Sequence, residues 1–110
     1  MTVQELSEKL RLEVISGGEG LQRTIAGGYT GDLLSWVMAR LPADYAWLTV
    51  MGNVNVVAVA SLKDAACVIL TESTALDENA LAKARQEEIA VLSSPKNSFD
   101  LGAALYALLS

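Results

Sequence analysis

The sequence predicts a single α/β domain in which a largely parallel sheet is covered by helices on both faces. Segments of strand character alternate along the chain with segments of helical periodicity, which is the pattern of strand–helix–strand units. Two of the strand segments are almost entirely apolar, as in parallel strands that are buried on both sides. The chain has 110 residues, of which 52% are hydrophobic and 19% charged, a composition typical of one folded domain. We expect residues 1–110 to form that single domain.

The amino-terminal elements are predicted from capping and turn residues. Thr2 and Glu5 match a capping box, in which each side chain accepts a hydrogen bond from the other residue's backbone N–H. A short helix should follow through Leu10. A strand is predicted at Leu12–Ile15, and it is closed by the turn Ser16–Gly20.

The next segment is rich in glycine. An extended piece at Thr24–Ala26 runs into Gly27–Gly31, which we interpret as a turn that opens onto a helix. The helix is predicted over Asp32–Leu41, because its apolar residues fall on one stripe at helical spacing. Trp36 lies off that stripe, so we expect it to be exposed.

The central segment Val56–Leu62 is ambiguous, because its residues favour a strand while a fully buried helix would look the same. Buried strands are predicted at Tyr45–Met51 and Cys67–Leu70. Two parallel neighbours need a crossover of a dozen or so residues, which is usually a helix. We therefore predict a helix over Asn55–Ala65.

The carboxyl-terminal elements are clearer. Asp77 is a good N-cap for a helix that runs to about Glu88. A last short strand is predicted at Ala90–Ser93, and a final helix begins at Ser98.

Composition excludes several classes of function. The net charge is −5 with no cluster of basic residues, so the chain lacks the basic face with which nucleic-acid binding begins. Histidine is absent, which removes the commonest general base and most zinc sites. No cluster of acidic residues has metal-ligand spacing, so we expect no metal and no cofactor.

The expected compartment is the cytoplasm. The single cysteine, Cys67, rules out an internal disulfide, and no segment has the pattern of a secretory signal. No apolar run approaches the ~20 residues that span a bilayer. We therefore expect no membrane association.

No catalytic group is recognisable. The nearest approach to a phosphate-binding loop is Gly17–Thr24, but Gln22 stands where the second glycine is needed and Arg23 where the lysine is needed. Cys67 lies in an apolar strand with no basic neighbour, which favours a packed thiol over a nucleophile. We expect the chain not to be an enzyme.

Three segments, Gly27–Met38, Thr49–Ala60 and Ala66–Glu72, resemble the DRTGG domain family in order and spacing. The resemblance covers nearly the whole chain. It implies a three-layer α/β/α sandwich similar to the amino-terminal domain of HPr kinase/phosphorylase and to the first domain of Mur ligases. It also implies a regulatory or oligomerising module.

The sequence departs from the family pattern at the positions that give the family its name. Gly52-Asn53-Val54 stands at the Asp-Arg position, and Thr71-Glu72-Ser73 stands at the Thr-Gly-Gly position. Ligand chemistry that depends on that arginine or on those glycines is therefore not expected.

Polar residues follow three of the predicted strands, and in an open α/β sheet ligands bind at the carboxyl edge. The alternative is that these residues only form turns and helix caps, with Asp32 as a cap at the glycine-rich turn. The candidate ligand-binding residues are Gly28, Thr30, Gly31, Asn53, Asn55 and Thr71.

Taken together, the sequence predicts a non-catalytic regulatory module that acts through self-association as a homodimer, with Trp36 at the interface. A small ligand or a protein partner remains open. The alternative function is a sensor for a nucleotide or another anion, bound at the loops 28–32 and 53–55.

Overall fold

The computed structural model describes all residues from Met1 to Ser110. It contains five strands, five α-helices and one 3-10 turn at Gly18–Gln22. The strands are β1 (Glu13–Ser16), β2 (Gly27–Thr30), β3 (Tyr45–Thr49), β4 (Cys67–Leu70) and β5 (Val91–Ser93). The helices are α1 (Val3–Lys9), α2 (Leu34–Arg40), α3 (Val54–Leu62), α4 (Glu78–Gln86) and α5 (Ser98–Leu109).

The five strands form one sheet in the order β1-β5-β4-β3-β2. The strands β2, β3, β4 and β5 are parallel to one another, whereas β1 is antiparallel to β5. The predicted fold class, an α/β domain with a mostly parallel sheet, is confirmed. Both ends of the order, β1 and β2, are edge strands.

Helices cover both faces of the sheet. Alternate residues of the buried strands therefore belong to two separate hydrophobic cores, one on each face. One core joins α1 and α5 to the sheet and includes Leu48 and Ile69. The other core joins α2, α3 and α4 to the opposite face and includes Val68, Leu70 and the fully buried Trp47. The arrangement is therefore three-layered, as the strand pattern predicted.

Side-chain caps fix the start of four helices. The capping box of Thr2 and Glu5 is present, with both hydrogen bonds formed. Asp77 caps α4 as predicted, and Asn97 caps α5. Each such cap satisfies one of the free N–H groups of a first turn.

The ambiguous segment is a helix, as the crossover argument predicted, although α3 spans Val54–Leu62 rather than residues 55–65. Val56, Val57 and Ala60 are buried between the sheet and its neighbouring helices. None of the five helices has the length and apolar character that crossing a bilayer requires.

The glycine-rich segment was predicted wrongly. The strand lies at Gly27–Thr30 rather than Thr24–Ala26, and α2 begins at Leu34 rather than Asp32. A Cβ atom at Gly27 would lie 2.6 Å from the Tyr45 ring, and one at Gly28 would lie 2.8 Å from Cδ2 of Leu105. These glycines permit close packing on both faces of a strand; they do not form a turn.

Candidate functional site

The carboxyl ends of β2, β3 and β4 lie at the same edge of the sheet, because the three strands are parallel. The segments after them contain the candidate residues that sequence reasoning selected. Their contacts divide into two groups. Gly28 and Thr30 line an open groove beneath α5, whereas Gly31, Asn53 and Thr71 are engaged in contacts within the chain.

Asp32 does not cap a helix. Its Oδ1 accepts hydrogen bonds from the hydroxyl of Thr49 at 2.8 Å and from the N–H of Val50 at 2.9 Å. The N-cap of α2 is Leu33, which makes no side-chain hydrogen bond to the helix. The predicted anion-binding turn at Gly28–Asp32 is therefore not a helix N-terminus.

The two asparagines have different surroundings. Asn53 is the N-cap of α3, and its Oδ1 accepts a hydrogen bond from the N–H of Val56 at 3.2 Å. Asn55 lies in the first turn of α3 and is exposed. Of the two carboxamides, Asn55 is the one that is free of a helix-capping role.

Thr71 is fully buried. Its hydroxyl lies 3.1 Å from the hydroxyl of Ser98 at the start of α5. It also donates a long hydrogen bond of 3.5 Å to the carbonyl of Thr49. These contacts join the ends of β3 and β4 to α5.

The two residues after Thr71 both adopt the left-handed conformation, with φ of 56° at Glu72 and 57° at Ser73. Their N–H groups donate to the carbonyls of Lys96 and Ser94 respectively. Glycine adopts this conformation without strain, and these are the two positions that the resemblance places at the glycines of the DRTGG pattern. The backbone shape is present here without the glycines, and its donors are used by the loop before α5.

The loop before α4 covers the Asp-Arg position. A Cβ atom at Gly52 would overlap the carbonyl oxygen of Ala75, and the N–H of Asp77 donates to the carbonyl of Gly52 at 2.9 Å. No side chain fits at position 52 while this loop is in place. The loop before α4 is therefore packed closely against Gly52.

The groove between β2 and α5 has a volume of about 430 Å³. Sequence reasoning found Gly28 and Thr30 but missed the α5 side, where Tyr106 is 77% exposed. Tyr106 lies off the apolar stripe of its helix, which is the same signal that singled out Trp36. The lining contains no charged side chain and consists of Ala26, Gly27, Gly28, Tyr29, Thr30, Tyr45, Leu48, Gly102, Leu105, Tyr106, Leu109 and Ser110.

Trp36 is exposed, as its position off the stripe predicted. The side chain is 54% accessible, and the guanidinium of Arg40 lies 3.9 Å from its ring centroid. Leu33, one turn earlier, is 59% accessible. The surface of α2 therefore presents two large apolar side chains to solvent.

The other side chains that could take part in chemistry are ion-paired or buried within the chain. Arg23 donates hydrogen bonds to Asp44 at 2.6 Å and to Asp64 at 2.8 Å, so its charge is paired within the chain. Burial raises the pKa of the Cys67 thiol to about 12; a thiol in this state is protonated at neutral pH and a poor nucleophile. No three acidic or cysteine side chains converge as metal ligands.

Among solved structures, the chain is similar to the CBS and DRTGG domains of the regulatory region of Clostridium perfringens pyrophosphatase, complexed with the activator diadenosine tetraphosphate. The TM-score is 0.71 at 12% sequence identity, which shows a shared fold. The match covers 94% of this chain and 45% of that one, so the chain spans less than half of the neighbour's length. None of the curated proteins matches the chain.

The family model of the DRTGG domain matches residues 5–108. The match includes all five strands and most of each terminal helix. The chain belongs to the DRTGG domain family.

Proposed function

We propose that this chain is a non-catalytic regulatory module that acts in the cytoplasm by self-association. The observation that carries the proposal is the exposed apolar surface of α2, where Trp36 and Leu33 are both more than half accessible. Large apolar side chains that share an exposed patch mark protein–protein interfaces, and tryptophan is the residue most enriched among those that dominate binding.

The chain's ionisable groups support a role without catalysis. Histidine is absent, Arg23 is paired with two carboxylates, and Cys67 is a buried thiol. Acid–base and nucleophilic catalysis both require an accessible group with suitable proton affinity. Binding is therefore the function that the surface supports best.

Sedimentation equilibrium of the native chain and of Trp36→Ala tests the role of Trp36. We expect the native chain to dimerise and the variant to dissociate at least about tenfold more readily, as for a tryptophan at the centre of an interface. Leu62→Ala is the matched control, because Leu62 is 71% exposed on α3. If Trp36→Ala and the native chain dimerise equally, Trp36 does not contribute to the interface.

A second candidate function is a small-molecule sensor, and the groove between β2 and α5 favours it. The groove has the size of a small-ligand pocket and presents the tyrosine rings of Tyr45 and Tyr106. Because its lining has no cationic side chain, we expect it to take the uncharged part of a ligand, such as a nucleobase. Any phosphates would extend beyond it.

Thermal denaturation with diadenosine tetraphosphate or adenosine tests the sensor. Binding to the folded chain should raise the melting temperature in proportion to ligand concentration. Tyr106→Ala should lose this shift, whereas Phe99→Ala, which is exposed on the same helix and outside the groove, should keep it. No shift with either compound at millimolar concentration would contradict a nucleobase site.

A further inference from the structure

The strand β2 leaves one side of its backbone without a partner. It pairs with β3 alone and stands at the end of the sheet. The N–H of Gly31 donates to the carbonyl of Leu48 in the parallel register of β2 and β3, and backbone groups of successive strand residues point to alternate sides. The backbone groups of Gly27 and Tyr29 therefore face β3, and the N–H and C=O groups of Gly28 and Thr30 point away from the sheet.

The two edges of the sheet differ in how they are protected. Edge strands are commonly protected from pairing by charged side chains or bulges. The strand β1 has both, since Glu13 is exposed and the register shifts between Val14 and Ser16. In contrast, β2 has no charged residue, no proline and a regular register along Gly27–Thr30.

The groove beside β2 also lacks charged side chains, in a chain whose net charge is −5. Two copies of an acidic chain repel each other wherever charged surfaces meet. This uncharged edge is a surface where a second copy can approach with little repulsion.

We propose that β2 pairs antiparallel with β2 of a second copy, so that one continuous sheet runs through a symmetric dimer. The inference rests on the proposed self-association and specifies its interface. With the two-fold axis beside Tyr29, Gly28 faces the partner's Thr30, and Thr30 faces the partner's Gly28. Both residues have outward backbone groups, so each pair exchanges two hydrogen bonds, as antiparallel pairing requires.

The helices next to the edge supply apolar contacts. On one face, α5 packs on β2 and presents Tyr106 beside the groove. On the other face, α2 connects β2 to β3 and presents Trp36. Strand pairing gives the register, and aromatic side chains on both flanks give apolar area that is buried when the copies meet.

Amide hydrogen exchange of the native chain tests the pairing directly. Between micromolar and millimolar protein, exchange of the Gly28 and Thr30 amides should slow by at least about tenfold, because the dimer adds hydrogen bonds that the monomer lacks. The amide of Ala26 is the internal control, since its bond to Asp44 lies within one chain and should show no comparable change.

A substitution on α5 tests whether the surface beside β2 is part of the dimer interface. Tyr106→Glu places a charge beside the strand of each copy and should weaken dimerisation, whereas Phe99→Glu, at an 83% exposed position outside the groove on the same helix, should leave it unchanged. A dimer whose Gly28 and Thr30 amides exchange at the same rate at both concentrations would overturn the edge pairing but leave self-association standing. A monomer at millimolar concentration would overturn both.

Discussion

The carboxylate of Asp32 holds the end of β3 through the hydroxyl of Thr49, which lies 2.8 Å from its Oδ1. The same oxygen accepts the N–H of Val50, and Thr49 is fully buried. This contact joins the segment after β2 to the segment after β3, and it accounts for a carboxylate that sequence reasoning had assigned to a helix cap.

The first prediction concerns Asp32. Asp32→Ala should lower the free energy of unfolding by about 1–2 kcal/mol, because it leaves the buried Thr49 hydroxyl and the Val50 N–H without their acceptor. Asp32→Asn keeps an acceptor oxygen and should cost less. Urea denaturation of both variants measures the difference, and equal stability of Asp32→Ala and the native chain would show that the contact contributes nothing.

The second prediction concerns the left-handed residues after β4. Glu72→Gly and Ser73→Gly should each leave stability unchanged or raise it by up to about 1 kcal/mol, because glycine removes the steric cost of a positive φ. Ala82→Gly, at an exposed helical position of α4, is the control and should cost about 1 kcal/mol. If all three glycines destabilised equally in thermal denaturation, the loop conformation would carry no strain.

The third prediction compares two glycines. Gly52→Ala should destabilise the fold by about 2 kcal/mol or more, because its Cβ would overlap the backbone of Ala75. Gly102→Ala should stabilise α5 by up to about 1 kcal/mol, since the nearest atoms to its Cβ are 3.9 Å away and alanine favours helices. Melting temperatures that moved in the same direction would contradict the close approach at Gly52.

The fourth prediction separates the capping asparagine from the exposed one. Asn53→Ala should cost about 1 kcal/mol of stability through loss of the α3 cap, whereas Asn55→Ala should cost little. Guanidinium denaturation of the two variants gives the comparison. A large cost at Asn55, or none at Asn53, would contradict these roles.

Local and topological signals predicted most of the fold. The capping residues Thr2 and Asp77 gave helix starts, and the need for a crossover identified α3 although its own residues favour a strand. Gly27 and Gly28 misled the prediction, because glycine marks turns more often than strands, and the reason for glycine here is contact with Tyr45 and with Leu105, which is distant in sequence.

The candidate site was less predictable for a related reason. The groove requires α5 to pack on β2, and nothing in the local sequence links these distant segments. The conformation of Glu72 and Ser73 could not be predicted from the sequence either, because residues other than glycine rarely adopt a positive φ. Trp36 could be found because helical spacing alone places it off the core stripe.

Small-angle X-ray scattering of the native chain at micromolar to millimolar concentration tests self-association most directly. A single copy has a radius of gyration of 12.0 Å over its Cα atoms. We expect a scattering mass of twice the 11.7 kDa chain and a radius of gyration of about 17 Å, the value for a compact particle of that size. A mass of 11.7 kDa at every concentration would contradict the account.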